Sequence, residues 1–320
     1  MASDADRLAD PRFTAAIDRL LDSYVTSGGI NHLEGHNLPS RESIRDLIRN
    51  LEMVLFPGFY ERERLGRLNA RYVIGDRCAR IFHALKSEVE KSLLFAGRSG
   101  GDGPEARRAG PEADRIAMEL LEALPGIRAI LQVDAEAALE GDPAARSIVE
   151  VLLSYPSIRA IGIFRIAHFL HEREVPLIPR MMTEYIHART GIDIHPGATI
   201  GPGLFIDHGT GVVIGETTVI GRRCKLYQGV TLGALSVEKH GTPGWHPDRR
   251  HPTLEDHVTV YAGATILGGR TVIGEGSVIG GNVWLTRSVP PGTKVLIEPP
   301  FLVYRTREGE TTKEVLDFQI

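Results

Sequence analysis

Cysteine is scarce: the 320 residues hold two, Cys78 and Cys224, too few for a disulfide framework. Long apolar runs are missing as well, and the opening MASDADRLAD has no signal-peptide core. Both absences point to a cytoplasmic protein without a membrane partner. Neither charge sign dominates: 37 Lys and Arg against 41 Asp and Glu leave a formal charge of −4, so the balance gives no reason to expect nucleic acid. Hydrophobic content of 42% and charged content of 24% are ordinary for a globular chain with room for one large or two smaller domains.

What the chain does have is a period of six. Ile194, Ile200 and Ile206 open three hexapeptides; the phase slips by two and resumes at Ile214, Ile220, Leu226 and Leu232. After an interruption at 235–251 it returns at Leu254, Val260 and Ile266, slips by one, and continues at Ile273, Ile279 and Leu285. Six is too long for strand alternation and does not fit an α-helix. It fits a prism in which three short strands make a coil and each aliphatic residue points to the axis. Of the 35 glycines, 19 lie between 191 and 285, where corners need unusual backbone angles. The expected fold is α+β: an N-terminal α-helical region followed by a left-handed parallel β-helix, a hexapeptide-repeat prism.

Upstream, the patterns are helical. Phe13, Ile17, Leu20 and Leu21 mark a short one. Ser40 is the expected N-cap of a helix carrying Ile44, Leu47, Ile48, Leu51 and Leu55, stopped by Pro57-Gly58. A second, near 76–95, aligns Cys78, Ile81, Phe82, Leu85, Val89 and Leu93. Residues 97–111 (GRSGGDGPEARRAGP) read as a mobile linker. Helical patterns resume over 113–139 and 143–188, with breaks expected at Pro125-Gly126, Gly141 to Pro143, Pro156 and Pro176. The division is therefore 1–190 helical and oligomerising, 191–289 prism, 290–320 tail. Val289-Pro-Pro-Gly292 is expected to end the prism.

Polar residues recurring in aliphatic coils need reasons. Asp193-Ile-His195-Pro, Asp207-His208-Gly-Thr-Gly and Asp248-Arg-Arg250-His251-Pro stand out. A neutral imidazole takes a proton from an alcohol when a carboxylate fixes its tautomer and stabilises the imidazolium. Asp193 and His208 are 15 residues apart, a little under one 18-residue coil, which allows them to lie on neighbouring parts of adjacent coils. His195, His246 and His257 read as turn residues. Cys224 falls on a small inward position and Cys78 on an apolar helix face, so neither reads as an acyl carrier.

The run DIHPGATIGPGLFIDHGTGVVIGETTVIG, followed by YQGVTLGA, RRHP and YAGATILGG, resembles the serine O-acetyltransferases of cysteine biosynthesis over about residues 140–298. The resemblance implies transfer of an acetyl group from acetyl-CoA to L-serine, with His208 as general base and Asp193 as its acid partner. It implies that Asp142, Asp207, Arg250 and His251 hold the amino acid: carboxylates for its ammonium, a guanidinium for its carboxylate. Ala262 and Gly281 match small residues along the pantetheine arm. Arg270, Arg287 and Lys294 are candidates for the coenzyme phosphates, and Glu216 lies in the matching GET motif. No metal is expected. Trimers or hexamers, feedback inhibition by L-cysteine, and docking of C-terminal Ile320 into O-acetylserine sulfhydrylase are further implications. Two alternatives stay open: a relative acetylating sugars or antibiotics, and a prism-fold zinc hydratase or a scaffold.

Overall fold

The computed structural model describes residue 8 and residues 10–27, 29–33, 35, 37–60, 64–97, 104–235 and 249–298; for 104–106, 301–305 and 311–315 it describes the backbone alone. Two units separate, Met1–Asn37 and Leu38–Ile320. In the first, helix α1 (Pro11–Thr26) starts at Asp10, whose side chain accepts from the Arg12 N–H. Phe13, Ile17, Leu20 and Leu21 are all exposed on it.

The second unit begins with helix α2 (Arg41–Leu55), capped by Ser40 as expected: the hydroxyl accepts from the Ser43 N–H. Ile44, Leu47, Ile48, Leu51 and Leu55 are buried. Helix α3 (Ala70–Ala96) buries Ile81, Leu85 and Val89, with Cys78, Phe82 and Leu93 packed beside them. Against it lies α4 (Pro104–Gly141). Here the structure corrects the sequence reading twice. Residues 104–111 are not linker but the first turns of α4, and Pro125-Gly126 does not break it. A proline inside a helix costs about 3 kcal/mol or more. Ala113, Ile116, Leu120, Leu124, Ile127 and Leu131 bury one side of α4 throughout, and at about 1.5–3 kcal/mol per large aliphatic side chain that burial outweighs both prolines. Residues 98–103 lie outside the described residues. Helices α5 (Ile148–Ser154), α6 (Pro156–His171) and α7 (Ile178–Thr190) follow, separated where Pro156 and Pro176 were expected to part them.

Gly191 ends α7 in the left-handed region (φ 70°) and turns the chain into the prism. Face A stacks β1 (Ile192–Ile194), β4 (Val212–Ile214), β7 (Thr231–Gly233), β10 (Thr265–Leu267) and β13 (Trp284–Leu285). Face B stacks β2 (Thr199–Ile200), β5 (Val219–Ile220), β8 (Thr253–Leu254) and β11 (Val272–Ile273). Face C stacks β3 (Phe205–Ile206), β6 (Lys225–Leu226), β9 (Thr259–Val260), β12 (Val278–Ile279) and β14 (Lys294–Val295). All pairings within the three faces are parallel. The aliphatic residues of the six-residue period form the axial columns, Ile194–Ile214–Leu232–Ile266–Leu285 on face A and its counterparts on B and C. All are buried except half-buried Leu285 and Val295. Cys224 is buried among them, its thiol pushed up to about 11 by burial.

The prism does not stop at Val289. That residue bridges Ile273 in parallel, its N–H donating to Val272 O and its carbonyl accepting from Gly274 N–H, and β14 then pairs with β12. Pro290 and Pro291 fall in the following turn, where the ladder needs no N–H. Farther on, β15 (Phe301–Arg305) and β16 (Thr311–Val315) pair as an antiparallel hairpin within the stretch read as a tail. Residues 316–320, Ile320 included, lie outside the described residues.

One buried ion pair joins helices to prism. Arg165 of α6 donates twice to Asp134 of α4 (2.7 and 2.8 Å) and to the carbonyls of Ile200 and Gly201. Asp134 also accepts from the N–H groups of Gly203 and Leu204, so its buried carboxylate is saturated.

Candidate active site

Two prism edges flank face A, and the predicted site residues divide between them. At the C–A edge, the turn between β3 and β4 carries Asp207 and His208. His208 sits in the left-handed region (φ 59°), a conformation tolerated by few non-glycine residues and recurrent at functional sites. Its side chain is 73% exposed, open to a substrate, with Nε2 3.9 Å from Asp207 Oδ1. Helix α4 delivers Asp142 to the same place. Its C-terminal carbonyl at Gly141 accepts from Lys225 Nζ (2.7 Å), a cation set against the negative end of the helix, and Lys225 also lies 3.5 Å from Asp207. Asp142 accepts hydrogen bonds from the Tyr155 phenol and the Ala144 N–H. The Tyr155 bond chiefly holds its carboxyl below the usual range, with smaller contributions from Ala144, Lys225 and His208, while the phenol is pushed up to about 12. An ionised carboxylate beside an imidazole thus faces solvent at this edge.

Farther along the same edge come Ala262 and Gly281, in the turns after β9 and β12. A side chain at Gly281 would approach the Ala262 carbonyl, 3.3 Å from an added Cβ.

Asp193 stands elsewhere. It occupies the middle of β1, in the outward row of face A with Val213, Thr231, Thr265 and Trp284. Its carboxylate groups with Glu184 and His187 of α7, their ligand atoms within 4.8 Å of one another. Among the described residues, no hydrogen bond or ion pair joins it to His208.

The A–B edge holds the rest. Arg250 donates to Glu216 Oε2 (2.6 Å). His251 is buried, its ring laid over Gly215 so closely that a Cβ there would stand 2.0 Å from Cδ2; only glycine fits. Its Nδ1 accepts from the Thr217 N–H (3.1 Å). Burial, and after it the charge of Arg250, push the imidazole below its ordinary value. His195, in the turn after β1, is half-buried and likewise lowered by burial, and its ring meets His171 edge to face. His257 is an exposed turn residue, as expected; His246 and Asp248 lie outside the described residues. Arg270 and Arg287 are exposed on this edge, and Lys294 is on face C.

Sequence reasoning missed Lys225, Tyr155 and Thr217. Lys225 precedes the inward Leu226 of face C, whereas Asp207, Tyr227 and Tyr261 each follow an inward aliphatic residue of that face. The two tyrosines stack at 4.8 Å, and Lys225 Nζ lies 4.5 Å from the Tyr227 ring.

A left-handed prism with an open imidazole–carboxylate edge defines a hexapeptide-repeat group-transfer enzyme. No family model matches the chain. A serine acetyltransferase of Synechococcus elongatus is 47% identical over 259 residues, 80% of this chain and 81% of the relative. Among solved structures, isoform 3 of Entamoeba histolytica serine acetyltransferase in complex with cysteine superposes with a TM-score of 0.68 at 33% identity, covering 91% of this chain and 95% of that one. The Neisseria gonorrhoeae serine acetyltransferase in complex with serine gives 0.51 at 27% identity, covering 83% and 97%. The chain belongs to the serine acetyltransferase family.

Proposed function

We propose that the protein transfers the acetyl group of acetyl-CoA to the hydroxyl of L-serine, giving O-acetyl-L-serine and CoA, in the cytoplasm on the route to L-cysteine. The observation that carries the mechanism is the gathering of His208, Asp207 and Asp142 at one solvent-open edge. His208 takes the hydroxyl proton as the serine oxygen bonds to the thioester carbonyl. The tetrahedral intermediate then expels the coenzyme thiolate, which recovers that proton. Backbone N–H donors in such sites are typically worth on the order of 3 kcal/mol each to the oxyanion. Neither thiol is placed to carry acetyl, because Cys224 is buried and Cys78 lies on α3, which supports direct attack in a ternary complex.

The amino acid needs both edges. Carboxylates Asp142 and Asp207 suit its ammonium, and Arg250 with His251 suits its carboxylate. These groups lie on different edges of one prism, which supports a site completed by the A–B edge of a neighbouring subunit, in a trimer or a pair of trimers held by the helical region. In that cleft Ala262 and Gly281 of one chain would floor the pantetheine groove, opposite Arg270 and Arg287 of the next as phosphate contacts. Asp193, on the intervening face, would support His208 once the cleft is closed. L-Cysteine, with sulfur for oxygen, fits the same ammonium and carboxylate contacts as a competing end product. Ile320 is the proposed anchor to O-acetylserine sulfhydrylase.

Thiol release on mixing the protein with acetyl-CoA and serine tests the reading. Serine-dependent release is expected; release with sugars or aminoglycosides and none with serine would overturn it.

A further inference from the structure

Thr217 follows Glu216 in the turn after β4, one coil away from Arg250 and His251. Its hydroxyl oxygen accepts from the backbone N–H groups of both, at 2.8 and 3.0 Å. It also lies 2.9 Å from His251 Nδ1, the nitrogen that receives the Thr217 backbone N–H. A ring nitrogen that accepts an amide proton carries none itself. The hydroxyl therefore donates to it as well, and the ring proton resides on Nε2. Every hydrogen-bonding capacity of the Thr217 side chain is thus spent on residues 250 and 251. The ring cannot swing away from Gly215 without losing these bonds, and the Glu216 carboxylate holds the guanidinium next door. The charged or titratable groups acting on His251 are Arg250, Glu216 and His195; burial is the largest influence and favours the neutral ring.

The adjacent Thr218 has the same chemistry and the opposite situation. It is fully buried, and its hydroxyl has no hydrogen-bond partner among the described residues.

We propose that Thr217 is a positioning residue of the acceptor pocket: it locks Arg250 and His251 into one unit and fixes His251 as a neutral Nε2–H donor, leaving proton abstraction to His208 alone. The proposal rests on the reading above that Arg250 and His251 receive the amino acid's carboxylate.

The test compares Thr217→Val, Thr217→Ser and Thr218→Val in the full chain. Thr217→Val strands two backbone N–H groups, and the expected result is a rise of about 10- to 100-fold in the serine KM and the cysteine Ki together. Its kcat should stay within about threefold of the parent, the pattern of lost ground-state binding. Thr217→Ser restores the hydroxyl and should match the parent, as should Thr218→Val. A Thr217→Val enzyme with the parent's KM, a serine variant as impaired as valine, or equal impairment at Thr218 would overturn the proposal. A second arm needs no turnover: in protein labelled with ¹⁵N-histidine, His251 should show its proton on Nε2 at pH 7. A proton on Nδ1, or a charged ring, would overturn the assignment even in an active enzyme. Absence of serine-dependent thiol release in the parent would instead sink the serine reading, with the spectrum still deciding the Thr217–His251 arrangement.

Discussion

The two edges flanking face A are built from the same two- and three-residue strands and the same axial aliphatics, yet they are chemically opposite. The C–A edge offers an open imidazole with Asp207 and Asp142; Lys225, a cation beside them, is already bonded to a helix end. The A–B edge offers a guanidinium paired with Glu216 and a buried imidazole whose proton affinity burial lowers. An amino-acid zwitterion carries the complementary charges at its two ends, an ammonium for the carboxylates and a carboxylate for the guanidinium. The comparison teaches that the coil supplies spacing and the corners supply chemistry. It also supports the proposed sharing of the pocket between two subunits.

Replacing the base should have the largest effect. His208→Asn is expected to lower kcat by about 10²–10⁴-fold while the fold persists; turnover near the parent's level would remove the C–A edge from the chemistry. Next comes the joint between helices and prism. Asp134→Ala leaves Arg165 buried without its carboxylate and should cost about 3–5 kcal/mol of stability in chemical denaturation. A variant as stable as the parent would mean that the ion pair does not hold α4, and with it Asp142, at the C–A edge. On the A–B edge, Arg250→Ala removes a charge-assisted contact of about 1.5–3 kcal/mol, so the serine KM and cysteine Ki should both rise by roughly 10- to 150-fold at similar kcat. Cysteine inhibition unchanged in that variant would require a second cysteine site.

The smallest expected effect is on pH. His195 and His251 are both lowered by burial, so the unfolded chain binds protons that the folded one resists. Their contribution is complete above the ordinary imidazole value of about 6.5 and is lost as pH falls from there toward the depressed folded values. The thermal midpoint should therefore decline below about pH 6.5, and His251→Asn should shallow that decline. An identical slope in the variant would show that His251 does not titrate differently on folding.

Much of this was legible beforehand, and the prism most of all, because each inward aliphatic residue is fixed by its neighbours six residues away. The departures from period six were informative too. The two-residue slip after Ile206 is the His208 turn, the interruption ends at Arg250 and His251, and the one-residue slip falls beside Arg270. Contacts between distant segments were not legible. Tyr155 on Asp142, Arg165 on Asp134 and Thr217 on His251 depend on how helices dock and coils stack, and no local pattern encodes that. Prolines mislead twice, each time the same way: helix packing overrides the break expected at Pro125, and the turn absorbs the end expected at Pro290-Pro291.

The claim that the two edges of one pocket come from different chains can be tested by co-expressing His208→Asn and Arg250→Ala chains and assaying at low serine, where each variant alone is nearly silent. If the pocket is shared between subunits, random mixing leaves about a quarter of the sites with both edges intact, and the mixed oligomers should recover about that fraction of parental activity. Activity no higher than the average of the two variants would contradict the shared site.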